Sequence, residues 1–198
     1  ENEIRVAIKA VENGTFSVYA TTQLKVNDPI EVSAPEGRFL LDSEANKNYI
    51  GFAAGSGITP LLSMVKTVLS TELSSNFTLV YGNRSVVDTI FYKELNSLKE
   101  SYPERFKLHY IFSREDVKNE LRGRIDQNVT NYFVKNIYKE TAFDAAFLCG
   151  PEEMIHQVSD TLERAKIKKE NIHFELFTAS TDETTTSKIK EGTTEVTV

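Results

Sequence analysis

The stretch Tyr49-Ile50-Gly51-Phe52-Ala53-Ala54-Gly55-Ser56-Gly57-Ile58-Thr59-Pro60 leaves this chain few choices. An apolar run of this kind suits a buried parallel strand, whose two faces are both covered, so hydrophobic and polar residues do not alternate. Two closely spaced glycines follow, then a proline, which is tolerated in the first turn of a helix because its missing N–H has no partner there anyway. Leu61, Leu62, Met64, Val65, Val68 and Leu69 recur at helical spacing, so the segment after Pro60 is predicted to lay one apolar face on a sheet. Strand, glycine turn and helix together present main-chain N–H groups to an anion, with the helix dipole adding a favourable field. The turn departs from the full G-x-G-x-x-G fingerprint, so its meaning depends on the rest of the chain.

The same rhythm continues. Buried-type strands are expected at 77–81, 106–112, 143–148 and 172–177, with helices at 88–98, 129–137 and 152–165 between them. Such alternation predicts an α/β fold, a doubly wound parallel five-stranded sheet with helices on both faces. Residues 1–43 read differently, as the end of a β-domain. Strand-like alternation runs over 4–11, helical turns fall at 18–24, and a short strand lies at 30–32. After 177 the chain turns polar, and 178–191 reads as a linker. Residues 192–198 alternate again, like the first strand of a further domain. The chain is therefore expected to begin and end partway through larger units.

Composition narrows the function classes. A net charge of −6 argues against a nucleic-acid or anionic-membrane surface. Cys149 is the single cysteine of 198 residues, which excludes a disulfide framework or a thiolate metal cluster within the chain. No apolar run reaches membrane length. These features are compatible with a cytoplasmic protein.

Ligands of open parallel sheets bind beyond the C-terminal strand ends, and four clusters fall there: 55–60, 82–84, Ser113-Arg114 and 149–152. Arg84, Ser113 and Arg114 come together if their strands are neighbours. An NAD site usually carries an acid at the second strand's tip, whereas here that tip is Asn83-Arg84. Arginines in place of a carboxylate favour a 2′-phosphate, whose oxygens match the guanidinium fork; the bland reading is that they are solvated. Cys149 reads as a small buried filler, and no histidine–carboxylate pairing in the sequence activates it as a nucleophile. His109, His156 and His173 lack metal-ligand spacing and are assigned no role, and Glu152-Glu153 suits the first turn of a helix.

Taken in order, Gly14-Thr15-Phe16-Ser17, Gly55-Ser56-Gly57-Ile58-Thr59-Pro60, Ser113-Arg114-Glu115 and Cys149-Gly150-Pro151 resemble the ferredoxin–NADP reductase superfamily. Tyr81-Gly82-Asn83-Arg84, Leu121-Arg122-Gly123-Arg124 and Phe174-Glu175-Leu176-Phe177 narrow this to the reductase components of phenylacetyl-CoA epoxidase and related ring oxygenases. In that group a flavin barrel, a nicotinamide domain and a plant-type ferredoxin domain share one chain. The resemblance implies that 1–43 is the C-terminal part of an antiparallel FAD-binding β-barrel and 44–177 the NAD(P)-binding domain. It makes 178–191 a linker and 192–198 the start of a 2Fe-2S ferredoxin domain.

It further implies that Gly14, Thr15, Phe16 and Ser17 meet the FAD pyrophosphate, with Thr59 near the flavin ring. Gly55, Ser56 and Gly57 would lie at the dinucleotide phosphates, and Pro60, Gly150 and Pro151 join the cofactor-binding set. Arg84, Ser113, Arg114 and Arg124 would read the 2′-phosphate of NADP. Cys149 and Glu175 would flank the reacting rings, and Phe177 would stack on one. The family's Arg-x-Tyr-Ser flavin motif would precede residue 1, and its C-x4-C-x2-C cluster ligands would follow residue 198.

The expected activity is electron transfer from NADPH through FAD to an iron–sulfur centre and on to an oxygenase, which phenylacetate degradation would exemplify. The alternatives are delivery to haem or free flavin, or a non-catalytic nucleotide-binding regulatory module.

Overall fold

The computed structural model describes residues 6–34, 36–42 and 44–176, and contacts divide the chain after Leu40. In residues 6–40 the regular element is helix α1 (Thr15–Thr22). It follows a tight turn in which Asn13 adopts φ 60° and the Gly14 N–H donates to the Val11 carbonyl (2.9 Å). None of the described residues here is buried, and Ile30 makes only an isolated bridge. The strands expected at 4–11 and 30–32 are not formed among the described residues, because a strand needs a hydrogen-bonded neighbour and none is described beside them. The helical turns start at Thr15, three residues earlier than expected, once Gly14 has ended the turn.

In the second unit, β1 (Asn48–Ala54) passes through a 3-10 turn (Gly55–Gly57) into α2 (Ile58–Thr71). Then follow β2 (Asn76–Asn83), α3 (Tyr92–Ser101), β3 (Phe106–Phe112) and the two-residue β4 (Leu121–Arg122). α4 (Gln127–Asn131) runs into a π-helical segment (Tyr132–Ile137), and β5 (Ala145–Cys149), α5 (Glu152–Arg164) and β6 (Ile172–Glu175) complete the unit. All strand pairs are parallel, in the order β4-β3-β2-β1-β5-β6.

Among the described residues the sheet thus has six strands rather than five. The additional β4 is a two-residue pairing of Leu121 and Arg122 with Ile111 and Phe112, too short to carry a periodic signal. The helix expected from 88 begins at Tyr92 instead. Ser85 to Thr89 closes on itself, the Ser85 hydroxyl donating to Asp88 (2.6 Å) and the Thr89 hydroxyl to the Ser85 carbonyl (2.8 Å). Phe91 then takes a left-handed conformation (φ 60°) that a helix interior does not accept.

Alternating residues of the strands face different helices, which makes the sheet doubly wound. Ile50, Phe52, Val80 and Ile111 share one core with Phe133, Ile155, Val158 and Leu162. On the other face, a Cβ added at Gly51 would meet Leu61 of α2 at 2.8 Å, and Tyr110 accepts a hydrogen bond from Asn96 of α3 (3.1 Å). The apolar stripe of α2 is buried as its spacing predicts. The chain adds β2, β3 and β4 on one side of β1, then returns to add β5 and β6 on the other. The gap between the C-terminal ends of β1 and β5 is therefore the switch point at which an open α/β sheet leaves a crevice.

Candidate nucleotide site

Both strands at the switch point are followed by a glycine that allows close approach, Gly57 in the turn after β1 and Gly150 directly after β5. A Cβ on Gly57 would lie 2.5 Å from the Cys149 carbonyl carbon and 3.0 Å from Gly150 N, and closer still to the Cys149 oxygen. One on Gly150 would meet Met154 Cε at 2.7 Å and Ala54 Cβ at 3.1 Å. Gly55 takes φ 55°, a left-handed conformation that costs a side-chain-bearing residue energy. Its carbonyl accepts from the Tyr81 hydroxyl (2.9 Å), and the Thr59 hydroxyl closes the turn on the Ser56 carbonyl (3.1 Å). Pro60 is the third residue of α2, where no intrahelical acceptor waits for an N–H. Pro151 precedes α5.

Neighbouring strand tips carry the arginines. The Ser113 N–H donates to the Asn83 carbonyl (2.9 Å) and the Arg114 N–H to the Arg84 carbonyl (2.9 Å), so Arg84, Ser113 and Arg114 stand side by side as expected for adjacent strands. The Ser113 hydroxyl also donates to the Asn83 carbonyl (3.3 Å). Arg84, Arg114, Arg122 and Arg124 are exposed, and among the described residues none makes an ion pair. Two nearby acids are engaged otherwise: Glu115 accepts from the Val86 N–H (2.7 Å) and Glu120 from the Tyr110 N–H (3.1 Å). The tips of β2, β3 and β4 thus offer unpaired guanidiniums.

On the far side of the switch, Cys149 and Glu175 are register partners of β5 and β6. The thiol is fully buried; that burial, with the Glu175 carboxylate beside it, pushes it up to about 12, so it is a neutral S–H rather than a nucleophile. In the first unit, Gly14 precedes α1 and the N–H groups of Thr15, Phe16 and Ser17 open its first turn, where helical N–H groups have no intrahelical acceptor. The Ser17 hydroxyl accepts from the Val11 N–H (3.1 Å).

Phe177, the linker 178–191 and the strand 192–198 lie outside the described residues. Among the described residues no group of histidine, cysteine and carboxylate side chains is placed to hold a metal, and no helix is long and apolar enough to cross a membrane. Sequence reasoning passed over Tyr81, whose position in a buried strand reads as core. The available signal was a hydroxyl three residues before Arg84, on a strand leading to the crevice.

A glycine turn at a switch point, with arginines on the next strand tips, defines an α/β dinucleotide-binding domain. The family model described as the oxidoreductase NAD-binding domain matches residues 52–160, and the chain belongs to this family, within the ferredoxin reductase group. A component of the 1,2-phenylacetyl-CoA epoxidase of Escherichia coli is 39% identical over 178 residues, 88% of this chain and 50% of that protein. A flavohemoprotein from Candida albicans is 31% identical over 170 residues, 84% of this chain and 42% of that protein. Among solved structures, the cytochrome b5 reductase domain of Ulva prolifera nitrate reductase superposes with a TM-score of 0.67 at 26% identity, over 82% of this chain and 64% of that one. The chain spans about half the length of the curated relatives it matches.

Proposed function

We propose that this chain is the nicotinamide-binding part of an NADPH-dependent flavoprotein reductase that feeds an oxygenase. The observation that carries the reading is the row of unpaired arginines on strand tips beside a glycine turn at the switch point. When bound, NADPH would supply the hydride and FAD the capacity to accept it and release electrons one at a time.

The residues of the chain bind and orient. The turn Gly55-Ser56-Gly57, with Pro60, Gly150 and Pro151 around it, holds the pyrophosphate on main-chain N–H groups. Arg84, Ser113, Arg114 and Arg124 select the 2′-phosphate. Cys149, a neutral thiol, and Glu175 are assigned to the reacting ring, and Thr59 and Phe177 to the flavin. No side chain has to move a proton. Gly14, Thr15, Phe16 and Ser17 hold the FAD pyrophosphate at the start of α1, whose first-turn N–H groups have no intrahelical acceptor.

In this reading 1–43 belongs to the flavin domain, 44–177 binds NADP, and 178–191 links to a ferredoxin domain beginning at 192–198. A 2Fe-2S centre would have to be ligated outside these residues, since one cysteine cannot hold it; there it would supply single-electron transfer toward an oxygenase in the cytoplasm. The relative in phenylacetyl-CoA epoxidase supports an oxygenase partner; the flavohemoprotein relative favours haem as a second acceptor.

The test is a visible spectrum of the chain after incubation with FAD and desalting, followed by anaerobic NADPH. Retained flavin bands that bleach with NADPH support the proposal. Flavin that stays bound and oxidised contradicts it. If no flavin is retained, the same titration with FAD in free solution decides: no NADPH-dependent reduction counts against the reading.

A further inference from the structure

Tyr81 is fully buried, yet its hydroxyl reaches the end of the neighbouring strand. It donates to the Gly55 carbonyl (2.9 Å) and lies 3.5 Å from the Ile90 carbonyl, joining the glycine turn to the loop that follows β2. The buried Nδ2 of nearby Asn83 makes no hydrogen bond. Burial raises the pKa of Tyr81, so the phenol remains a neutral donor throughout the working pH range.

In a trans peptide the C=O and the following N–H point in opposite directions. Holding the Gly55 C=O toward Tyr81 therefore turns the Ser56 N–H away from Tyr81. That N–H belongs to the first turn of the helical segment, where no intrahelical acceptor exists. Gly55 carries no Cβ and sits at φ 55°, so nothing in its own sterics opposes rotation of this peptide. The Gly55 carbonyl also accepts from the Ile58 N–H within the 3-10 turn, so two donors hold the peptide and with it the direction of the Ser56 N–H, and Tyr81 is the one from outside the turn.

We propose that Tyr81 is a positioning residue of the dinucleotide site, its hydroxyl locking the Gly55–Ser56 peptide so that the Ser56 N–H faces the ligand's pyrophosphate. The inference rests on the reading that this turn receives the pyrophosphate. It separates two ends of one ligand: the arginines on β2 and β3 act on the adenosine end, and Tyr81 acts on the phosphates between the two nucleosides.

The experiment is titration calorimetry of the 198-residue chain and its Tyr81→Phe variant with NADPH, NADH and 2′,5′-ADP, which lacks the pyrophosphate bridge. The variant is expected to bind both dinucleotides about tenfold more weakly, about 1.4 kcal/mol, and 2′,5′-ADP unchanged. Dinucleotide affinity equal to the parent's overturns the proposal, as does an equal loss for 2′,5′-ADP, which would mark a general disturbance of the sheet. Should the variant fail to fold, the Ser56 amide resonance of the unaltered chain decides. A downfield shift on adding NADPH supports the proposal, and an unmoved resonance overturns it. Failure of the unaltered chain to bind either dinucleotide would overturn the underlying reading, a different result from normal binding by the variant.

Discussion

Replacing Gly57 with alanine tests how closely α2 and β5 must approach. Gly57 has φ −61° and ψ −5°, values open to any residue, so its need for glycine is spatial rather than conformational. The added Cβ would stand 2.5 Å from the Cys149 carbonyl carbon, where carbon atoms ordinarily settle at about 3.5–4.0 Å. The obstructing atoms are backbone, and Cys149 is held in register with Ala53 and Glu175. Relief requires α2 and the end of β5 to part by about 1 Å, an overpacking cost of about 1–3 kcal/mol. At roughly 2–4 °C per kcal/mol for a domain of this size, the melting temperature should fall by about 2–12 °C. The same displacement widens the crevice, and misplacement of about 1 Å commonly costs tenfold or more in function, so NADPH affinity should fall too. Gly150→Ala is the control, because its closest obstruction is Met154 Cε, a flexible chain end that can swing aside; its effect should be smaller. Thermal melts and NADPH titrations of both variants provide the assay. A Gly57→Ala protein melting within about 1 °C of the parent, with unchanged affinity, would refute the reasoning.

Two further outcomes follow from buried titratable groups. His109 packs on Phe133, its ring centroid 4.7 Å away, with Nε2 2.7 Å from the Tyr138 hydroxyl; burial and then Lys99 lower its pKa to about 4. Between about pH 4 and 6.5 the unfolded chain binds a proton that the folded chain refuses, so stability should rise across this window, by up to about 3 kcal/mol. This contribution is fully present above pH 6.5 and lost as pH falls through 4. Urea midpoints against pH should show the rise in the parent and a flatter curve in His109→Gln; equal slopes would contradict it. Cys149, buried and held as a thiol, should resist maleimide at neutral pH and react at the rate at which urea unfolds the chain. Rapid labelling of the native protein, followed by mass spectrometry, would show that the thiol is reached without unfolding.

The core of the second unit could be read from its residues because the signals were local and strong. β1 is a continuous apolar run, α2 an uninterrupted stripe, and the two glycines between them permit one main geometry. What escaped was set by tertiary contacts. β4 exists because Leu121 and Arg122 happen to pair with β3. α3 starts late because Ser85–Thr89 satisfies its own polar groups, leaving Phe91 left-handed, although Ile90 and Phe91 look like helix-face residues. The π segment brings Phe133 and Tyr138 to the same ring of His109, five residues apart, an interval at which an α-helix would turn them away from each other. At the site, the arginines were legible as strand-end residues, and their adjacency depended only on β2 lying beside β3. The Tyr81 brace was not legible, since a hydroxyl in an apolar strand shows no partner until the neighbouring turn is in place.

The central claim is that NADP is held by its 2′-phosphate at the tips of β2 and β3. It is tested most directly by measuring NADPH and NADH dissociation constants for the parent and for a protein carrying Arg84→Ala and Arg114→Ala together. Loss of two charge-assisted contacts, each worth about 1.5–3 kcal/mol, should weaken NADPH binding by about a hundredfold or more while leaving NADH within about threefold. Equal weakening of the two dinucleotides, or no change in either, would contradict the account.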